Sequence, residues 1–200
     1  MTSQDPNPHA ASLPSPQGKG KQSLEEVLTE RRSVRSFRPD ALSPQQIAQL
    51  CWAAQGVTDG ATGRRTCPSA GALYPLELYV ATAGGVEHYV PARGSLQKVL
   101  DADVRGKLAG AALHQGFVED APAVFVITAV VSRMAREYGG RARRYVDMEV
   151  GHAGQNILLQ AQALGLGAVA VGAFEDDQAA RVLSLPADEE VLYLIPVGLL

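Results

Sequence analysis

The segment Pro122–Val131, with the sequence PAVFVITAVV, constrains the fold more than any other part of the chain. Nearly every residue in it is apolar or β-branched. A strand formed by this segment therefore carries apolar side chains on both faces, and both must be shielded from water. The segment therefore predicts a central strand that is buried on both faces. Leu76–Thr82 alternates as a strand should, and Val191–Val197 predicts a final apolar strand.

The composition is that of an ordinary globular protein. The 200 residues are 46% hydrophobic and 20% charged, which allows one domain with a substantial core. The formal net charge of -3 argues against a general nucleic-acid binder, and no apolar run is long enough to span a membrane. Cys51 and Cys67 show no metal-ligand spacing with the histidines, and the first residues lack the pattern of a secretory signal. We expect buried thiols, no metal site and a cytoplasmic protein.

Local signals divide the chain into a tail and one domain. Residues 1–22 are rich in proline and polar residues, which predicts a disordered tail, and the domain is expected over residues 23–200. Ser23-Leu-Glu-Glu and Ser43-Pro-Gln-Gln match capping boxes, so each predicts a helix start. Residues 93–118 are predicted to be helical in two pieces.

The longest predicted helix covers residues 146–164, where apolar residues recur at helical spacing. Gly151 and Gly154 give one segment of this helix very small side chains. Glycine in a helix interior costs about 0.5–1 kcal/mol relative to alanine. We therefore expect tight packing at this segment, against either another helix or a flat ligand.

The stretch Arg31–Phe37, with the sequence RRSVRSF, follows a short capped helix. It contains three guanidinium groups and two hydroxyl groups. Guanidinium groups bind phosphate oxygens in bidentate fashion, and hydroxyl donors can complete the shell. The stretch predicts an anion site, with an ordinary solvated surface as the alternative.

Catalysis by side chains alone has little support in this sequence. There is no nucleophile elbow, no zinc-protease motif and no Walker P-loop. Gly165 and Gly167 lie after a helix and before a strand, which is the reverse of the order in a dinucleotide-binding fingerprint. An enzyme with an anion site but no side-chain reagents often takes its chemistry from a phosphorylated cofactor.

Three segments, in this order, resemble the nitroreductase family of FMN-dependent oxidoreductases: Arg31–Phe37, Pro68–Pro75 (PSAGALYP) and Gly165–Phe174 (GLGAVAVGAF). The resemblance runs from about Ser23 to Gly198. It implies an α+β three-layer sandwich in which a central mixed, mainly antiparallel sheet is flanked by helices. It also implies an obligate homodimer that holds FMN in the subunit interface.

The resemblance also implies which residues hold FMN. The R-x-S-x-R stretch would grip the phosphate and the ribityl chain, and the P-S-x-G region would approach the isoalloxazine ring, usually from the partner subunit. The loop after the penultimate strand would pass the flavin. The cofactor-binding residues implied in this way are Arg31, Arg32, Ser33, Arg35, Ser69, Ala70, Gly71, Gly172 and Ala173. Their small side chains agree with a close approach of backbone N–H groups to the ring.

Some details are more similar to the SagB-type dehydrogenase branch, which includes azoline oxidases of peptide natural-product pathways. They are Gly71–Pro75 (GALYP), His88–Pro91 (HYVP), Tyr138–Tyr145 (YGGRARRY) and Gly151–Asn156 (GHAGQN). The chain also departs from family patterns. Ala72 replaces an asparagine of many relatives, Glu137 stands where azoline oxidases have a lysine before the tyrosine, and other relatives extend beyond the position of Leu200 to further basic residues.

The leading hypothesis from this resemblance is ping-pong hydride transfer from NAD(P)H, through FMN, to an electron-poor small-molecule acceptor. Tyr74 and His152 are candidates for the substrate pocket, and Tyr138 is the candidate for proton transfer. Aromatic packing is the alternative for each. Two other hypotheses stay open: a SagB-type dehydrogenase or oxidase that acts on an azoline-containing peptide or an amine with oxygen as acceptor, and a flavin-binding subunit without turnover.

Overall fold

The computed structural model describes residues 10–200. In this part of the chain, seven strands form one sheet in which all strand pairs are antiparallel, and two short strands pair separately. The strands are β1 (Ala10–Ser12), β2 (Val57–Asp59), β3 (Arg64–Arg65), β4 (Leu76–Thr82), β5 (Gly85–Val90), β6 (Ser95–Leu100), β7 (Ala123–Ala129), β8 (Leu166–Ala168) and β9 (Glu190–Leu199). The order in the large sheet is β1-β6-β5-β4-β7-β9-β8, and β2 pairs with β3.

The helices of the described residues cover both faces of this sheet. They are α1 (Leu24–Glu30), α2 (Pro44–Gln55), α3 (Arg105–Ala111), α4 (Phe117–Asp120), α5 (Val131–Tyr138), α6 (Ala142–Ala163) and α7 (Asp176–Leu183). Two 3₁₀ turns cover Ala70–Ala72 and Gly139–Arg141. Both predicted capping boxes are confirmed, because the Ser23 and Ser43 hydroxyls accept the backbone N–H groups of Glu26 and Gln46 at 3.2 Å each.

The predicted central strand is confirmed as β7. All of its side chains are buried, and it lies between β4 and β9, with Phe125 opposite Val80 on one side and Ile195 on the other. One hydrophobic core lies between the sheet and helices α2, α5 and α6, and a second lies between the sheet and helices α3, α4 and α7. The expected three-layer α+β sandwich is therefore confirmed. A single parallel bridge between Ser33 and Ala168 gives the sheet its mixed character.

The structure differs from the predicted disordered tail over residues 10–22. Strand β1 pairs with β6, and the backbone N–H of Gln17 donates to the Gln49 side-chain oxygen at 2.7 Å. The Gln49 amide donates back to the Gln17 carbonyl at 3.1 Å. Backbone hydrogen bonds thus hold a segment that has few apolar side chains to bury. Residues 1–9 of the predicted tail lie outside the described residues.

The helical prediction for residues 93–118 is wrong in its first part. Residues 95–100 form strand β6, whereas α3 and α4 account for the rest of the helical signal. Gly94 has a φ of +57°, and its N–H donates to the Pro91 carbonyl at 3.3 Å. This turn sends the chain back along β5, and the pairing with β5 overrides the helical pattern.

The Arg31–Phe37 stretch is pinned across the β8–β9 end of the sheet. The Val34 N–H donates to the Ala168 carbonyl at 3.0 Å, which holds the middle of the stretch on β8. Two glycines allow the close approach: a Cβ on Gly167 would lie 2.7 Å from Val34 Cγ1, and a Cβ on Gly198 would lie 2.8 Å from Phe37 Cβ. Val34 and Phe37 therefore anchor the stretch, while Arg35 stays exposed.

We expect Gly198→Ala to lower the free energy of unfolding by about 1–2 kcal/mol, since overpacking of a filled core costs this much. The new methyl group would meet Phe37 Cβ at 2.8 Å and Pro122 Cδ at 2.7 Å, and neither atom is the end of a flexible side chain. Urea denaturation followed by circular dichroism measures the loss. Gly110→Ala is the matched control, because a Cβ there has nothing within 4 Å. Equal stability of the two variants would contradict the close packing of Phe37.

Candidate functional site

The three arginines of the Arg31–Phe37 stretch have different surroundings. Arg32 donates to the backbone carbonyls of Thr29 and Arg31 at 2.8 and 2.9 Å, so it satisfies carbonyls at the end of α1. The guanidinium carbon of Arg35 lies 5.7 Å from the centre of the Phe117 ring. No hydrogen bond or ion pair within residues 10–200 engages the side chains of Arg31 and Arg35. These two guanidinium groups are the ones available for an anion.

The loop Gly172–Ala173 lies beside this stretch, and both of its residues are exposed. The Gln115 amide donates to the Ala173 carbonyl at 3.0 Å. Gln115 lies in the connection between α3 and α4, and Arg35 contacts Phe117, the first residue of α4, two residues further along the chain. The structure thus brings the arginine stretch and the Gly172–Ala173 loop together around residues 115–117.

The small-sided segment of α6 packs against an aromatic ring of β9. A Cβ on Gly154 would lie 3.0 Å from Cδ1 and Cε1 of Tyr193, and a Cβ on Gly172 would lie 3.8 Å from the other edge of that ring. At Gly154 the expectation of a helix or a flat ligand is therefore wrong, since the partner is Tyr193. The ring links α6 to the Gly172–Ala173 loop.

Residues 69–74, the strained loop, hold an unusual backbone. Positive φ angles occur at Gly71 (60°), Ala72 (53°) and Tyr74 (47°). For residues other than glycine this conformation costs roughly 1–3 kcal/mol each, and it persists where surrounding contacts enforce it, often at functional sites. One such contact is the Ser69 hydroxyl, which accepts the Tyr74 N–H at 2.9 Å.

Further contacts fix Tyr74 at the end of the strained loop. The Arg65 N–H donates to the Tyr74 hydroxyl at 3.2 Å, and the Arg65 guanidinium carbon lies 4.3 Å from the centre of the ring. Arg133 donates to the Tyr74 carbonyl at 2.6 Å and to Glu77 at 2.7 Å. Burial would raise the pKa of Glu77, but hydrogen bonds from His88 and Arg133 lower it. All of these contacts of Tyr74 are with residues of the same chain. A role for Tyr74 in a substrate pocket therefore stays a proposal.

Tyr138 lies against the strained loop, whereas His152 does not. A Cβ on Gly71 would be only 2.8 Å from the Tyr138 hydroxyl oxygen. The Tyr138 ring packs edge-on against Tyr145, with ring centres 5.0 Å apart. His152 is exposed on α6, and no hydrogen bond, ion pair or ring contact of residues 10–200 joins it to the loop.

The predicted site residues therefore form two groups in one chain. The arginine group consists of Arg31, Ser33, Arg35, Gly172 and Ala173, and the strained-loop group consists of Ser69, Ala70, Gly71 and Tyr138. Within residues 10–200, no hydrogen bond, ion pair or ring contact joins the two groups. Arg32 lies at the end of α1, next to the arginine group.

A buried polar cluster behind the strained loop escaped the sequence analysis. Glu149 on α6 is 2% exposed, and burial raises the pKa of its carboxyl group to about 7, although Ser69 and Arg65 lower it in part. Arg65 donates to the side-chain oxygen of the buried Gln55 at 2.8 Å. A usable signal was the helical spacing of α6, because Glu149 lies three residues after Val146, on the apolar face.

Three properties of the described residues bear on other kinds of site. Residues 10–200 contain no group of histidine, cysteine and acidic side chains that could hold a metal ion. Cys51 and Cys67 are free and buried, and burial raises the pKa of Cys67 to about 12. None of the described helices is long and apolar enough to cross a membrane.

Comparisons with known proteins agree in family and fold. The sequence model of the nitroreductase family matches residues 28–199. "Putative nitroreductase MJ1384" of Methanocaldococcus jannaschii is 46% identical over 181 residues, which cover 88% of this chain and 90% of that protein. A crystal structure of a "putative nitroreductase" from Ralstonia eutropha superposes with a TM-score of 0.88 at 31% identity and covers 96% of this chain and 89% of its own.

A more distant structure shares the fold. The NADPH:FMN oxidoreductase of Vibrio harveyi, solved as a complex with NAD+, has a TM-score of 0.66 at 22% identity, covering 88% of this chain and 68% of its own. The family match and the 46% identical relative extend over nearly the whole domain. The chain therefore belongs to the nitroreductase family of flavin-dependent oxidoreductases.

Proposed function

We propose that this protein is an FMN-dependent oxidoreductase that transfers hydride from NAD(P)H to an electron-poor small-molecule acceptor by a ping-pong scheme. The observation that carries the proposal is the arginine group, in which Arg31 and Arg35 have guanidinium groups without hydrogen-bond partners in residues 10–200, next to the Gly172–Ala173 loop. A flavin phosphate supplies the oxygens that such groups bind. The Vibrio harveyi oxidoreductase, which has the same fold, supports FMN and a nicotinamide as the reactants.

The residues present fit this cofactor. Arg31, Ser33 and Arg35 would hold the phosphate, and the small residues Gly172 and Ala173 would allow backbone groups to come close to the ring. When bound, FMN supplies reversible two-electron chemistry. The protein orients the reactants and limits the access of water.

We also propose that the protein is a homodimer with the flavin between the subunits. In one chain no hydrogen bond, ion pair or ring contact of the described residues joins the arginine group to the strained-loop group. A site that needs both groups can then draw the strained loop from the partner subunit. Size-exclusion chromatography with light scattering tests the dimer, and a monomer that binds FMN tightly would contradict it.

The proposed function is tested by adding FMN to purified protein and then mixing it anaerobically with NADH or NADPH. We expect a bound flavin absorbance that one of the nicotinamides bleaches, and restoration of the absorbance when a nitroaromatic acceptor is added. Protein that gains no flavin absorbance would refute the proposal. Bound flavin that neither nicotinamide bleaches, but that a peptide or amine substrate reduces, would favour the SagB-type oxidase. Bound flavin that no donor or acceptor cycles would indicate a subunit without turnover.

We expect Tyr138→Phe to slow the acceptor half-reaction by about 10-fold and to leave FMN affinity unchanged. The Tyr138 hydroxyl lies at Gly71 of the strained loop, where it can position or protonate the acceptor. A lost hydrogen bond of about 1.4 kcal/mol corresponds to a factor of about ten. Stopped-flow reoxidation of the reduced protein measures the rate. Tyr145→Phe is the matched control, since Tyr145 contacts the ring of Tyr138. Equal rates in Tyr138→Phe and the wild type would assign Tyr138 to packing alone.

A further inference from the structure

Helix α5 contacts the strained loop at two points. In the first turn of the helix, Arg133 donates to the Tyr74 carbonyl at 2.6 Å. At the last residue of the helix, the Tyr138 hydroxyl oxygen would lie only 2.8 Å from a Cβ on Gly71. Gly71 and Tyr74 are the first and last residues of the loop with a positive φ. The helix therefore holds both ends of the segment whose backbone is unfavourable.

The backbone of Tyr74 needs contacts of this kind, because a φ of +47° is costly for a tyrosine. Its N–H donates to the Ser69 hydroxyl at 2.9 Å, which is a contact within the loop itself. Its carbonyl accepts from Arg133, which belongs to α5. The Arg133 guanidinium is thus the side chain that ties the backbone of this residue to a helix.

The orientation of Arg133 is set in turn by Glu77 on β4. A second guanidinium nitrogen of Arg133 donates to Glu77 Oε1 at 2.7 Å, and the other carboxyl oxygen, Oε2, lies 2.9 Å from His88 Nε2 on β5. The Glu77 side chain is only 19% exposed. A planar guanidinium that uses two nitrogens for two acceptors has a fixed orientation. Arg133 therefore fixes the position of the loop relative to both α5 and the sheet.

We propose that Arg133 and Glu77 are positioning residues for the acceptor half-reaction, and that their ion pair keeps the Tyr138 hydroxyl at Gly71 of the strained loop. The inference rests on the proposed function, because that function places the reduction of the acceptor at this loop. Arg133 and Glu77 act through Tyr138 and are assigned no contact with the acceptor.

The proposal limits how large the effect of Arg133 can be. Without the contact to its carbonyl, Tyr74 can relax from its positive φ, and the loop then moves away from Tyr138. A displacement of about 1 Å is enough to remove the benefit of a positioned group. The rate of acceptor reduction should then fall to that of protein without the Tyr138 hydroxyl, and no further.

The first test measures the loop itself, by hydrogen exchange and mass spectrometry of the purified protein without FMN. Three loop amides are protected: those of Ala72, Leu73 and Tyr74, which donate to Ser69 or Ala70 at 2.9–3.3 Å. We expect Arg133→Met to speed the exchange of peptides covering residues 69–75 by about 10-fold, because a lost charge-assisted hydrogen bond shifts the local opening equilibrium by at least this factor. Wild-type exchange in this variant would overturn the proposal.

Arg105→Met is the matched control for the loss of an arginine with two kinds of acceptor. Arg105 donates to the Ala121 carbonyl at 2.9 Å and to Asp103 at 2.6 Å, which is the pattern of Arg133. Within residues 10–200, no hydrogen bond, ion pair or ring contact joins Arg105 to the strained loop. Its loss should leave the exchange of the loop unchanged. Equal acceleration in both variants would show general destabilisation and would overturn the proposal.

The second test is a double-mutant cycle on the acceptor half-reaction, with stopped-flow oxidation of the reduced holoprotein by a nitroaromatic probe. We expect Arg133→Met and Tyr138→Phe to slow this step by about 10-fold each, and the double variant to be slower by about 10-fold as well. Independent effects would instead multiply to about 100-fold. A double variant near 100-fold, or a wild-type rate in either single variant, would overturn the proposal.

Glu77→Gln keeps the proposal testable if Arg133→Met fails to fold. A neutral amide oxygen can still accept from Arg133, but a hydrogen bond to it is about half as strong as one to a carboxylate. We expect the loop to exchange about 3-fold faster in this variant, from the same weakening of the contact. Unchanged exchange would overturn the role of the ion pair.

The failure of this proposal and the failure of the proposed function are distinguishable. Protein that binds no FMN would refute the proposed function, and hydrogen exchange would still decide whether Arg133 holds the strained loop. Protein that binds FMN and reduces the acceptor, with multiplicative effects of Arg133→Met and Tyr138→Phe, would support the proposed function and refute the positioning role.

Discussion

Replacing Arg31 and Arg35 together by alanine is expected to weaken FMN binding by about 10²- to 10⁴-fold. Hydrogen bonds to charged groups contribute about 1.5–3 kcal/mol each, and each 1.4 kcal/mol is a factor of ten in affinity. The two guanidinium groups make no hydrogen bond or ion pair within residues 10–200, so their loss should leave the fold intact. The quenching of FMN fluorescence on titration with protein measures the change. Arg35→Ala alone should show part of this loss.

Two controls make this result specific for the phosphate. Arg38→Ala should bind FMN as the wild type does, because Arg38 is exposed and pairs with Asp40 at 2.9 Å. Riboflavin, which lacks the phosphate, should bind to the double variant about as well as it binds to the wild type. If the double variant and the wild type bind FMN equally well, Arg31 and Arg35 are ordinary surface residues that do not bind the phosphate. Equal losses for FMN and riboflavin would indicate damage to the fold.

The second large effect is on the pH dependence of stability. The free energy of unfolding of the wild type should fall by about 2–3 kcal/mol between pH 5 and pH 8, and Glu149→Gln should remove this fall. The pKa of Glu149 rises from 4.5 to about 7 on folding, so between these values the folded state binds a proton that the unfolded state has lost. Stability from this group is complete below pH 4.5 and is lost as the pH rises through about 7. At 1.36 kcal/mol per pKa unit, raising the pH from 5 to 8 destabilises the wild type by about 2–3 kcal/mol.

Urea denaturation at pH 5 and pH 8 measures the difference, with the protein and flavin concentrations held constant. As the pH rises, the free energy of unfolding of Glu149→Gln should increase relative to that of the wild type. Glu119→Gln should follow the wild type, since Glu119 is exposed. A constant difference between Glu149→Gln and the wild type at both pH values would show that folding does not raise the pKa of Glu149.

The parts of the fold that local sequence predicts are those with strong, short-range signals. The apolar run around Phe125 needs cover on both faces wherever it lies, and the capping boxes at Ser23 and Ser43 satisfy helix ends from within four residues. Strand β6 shows the limit of such signals. Residues 95–100 pair with β5 only because Gly94 turns the chain back, and the pattern of side chains in that segment does not report this pairing.

The candidate site divides in the same way. The types and spacing of Arg31, Ser33 and Arg35 already suggested an anion site. Only the structure showed that Arg32 is engaged with the end of α1. It also showed that Arg35 contacts Phe117 while Ala173 accepts a hydrogen bond from Gln115. These contacts join segments that are far apart in the chain, so no local pattern contains them.

The sequence by itself determined the secondary structure with strong local signals, the order of the family-like segments and the residue types that can bind a phosphate. Tertiary structure decided which of those residues are available, since burial and partners depend on what the rest of the chain places beside them. Glu149 is the clearest case: it is a single acid on an apolar helix face, and burial raises the pKa of its carboxyl group to about 7 because folding removes it from water.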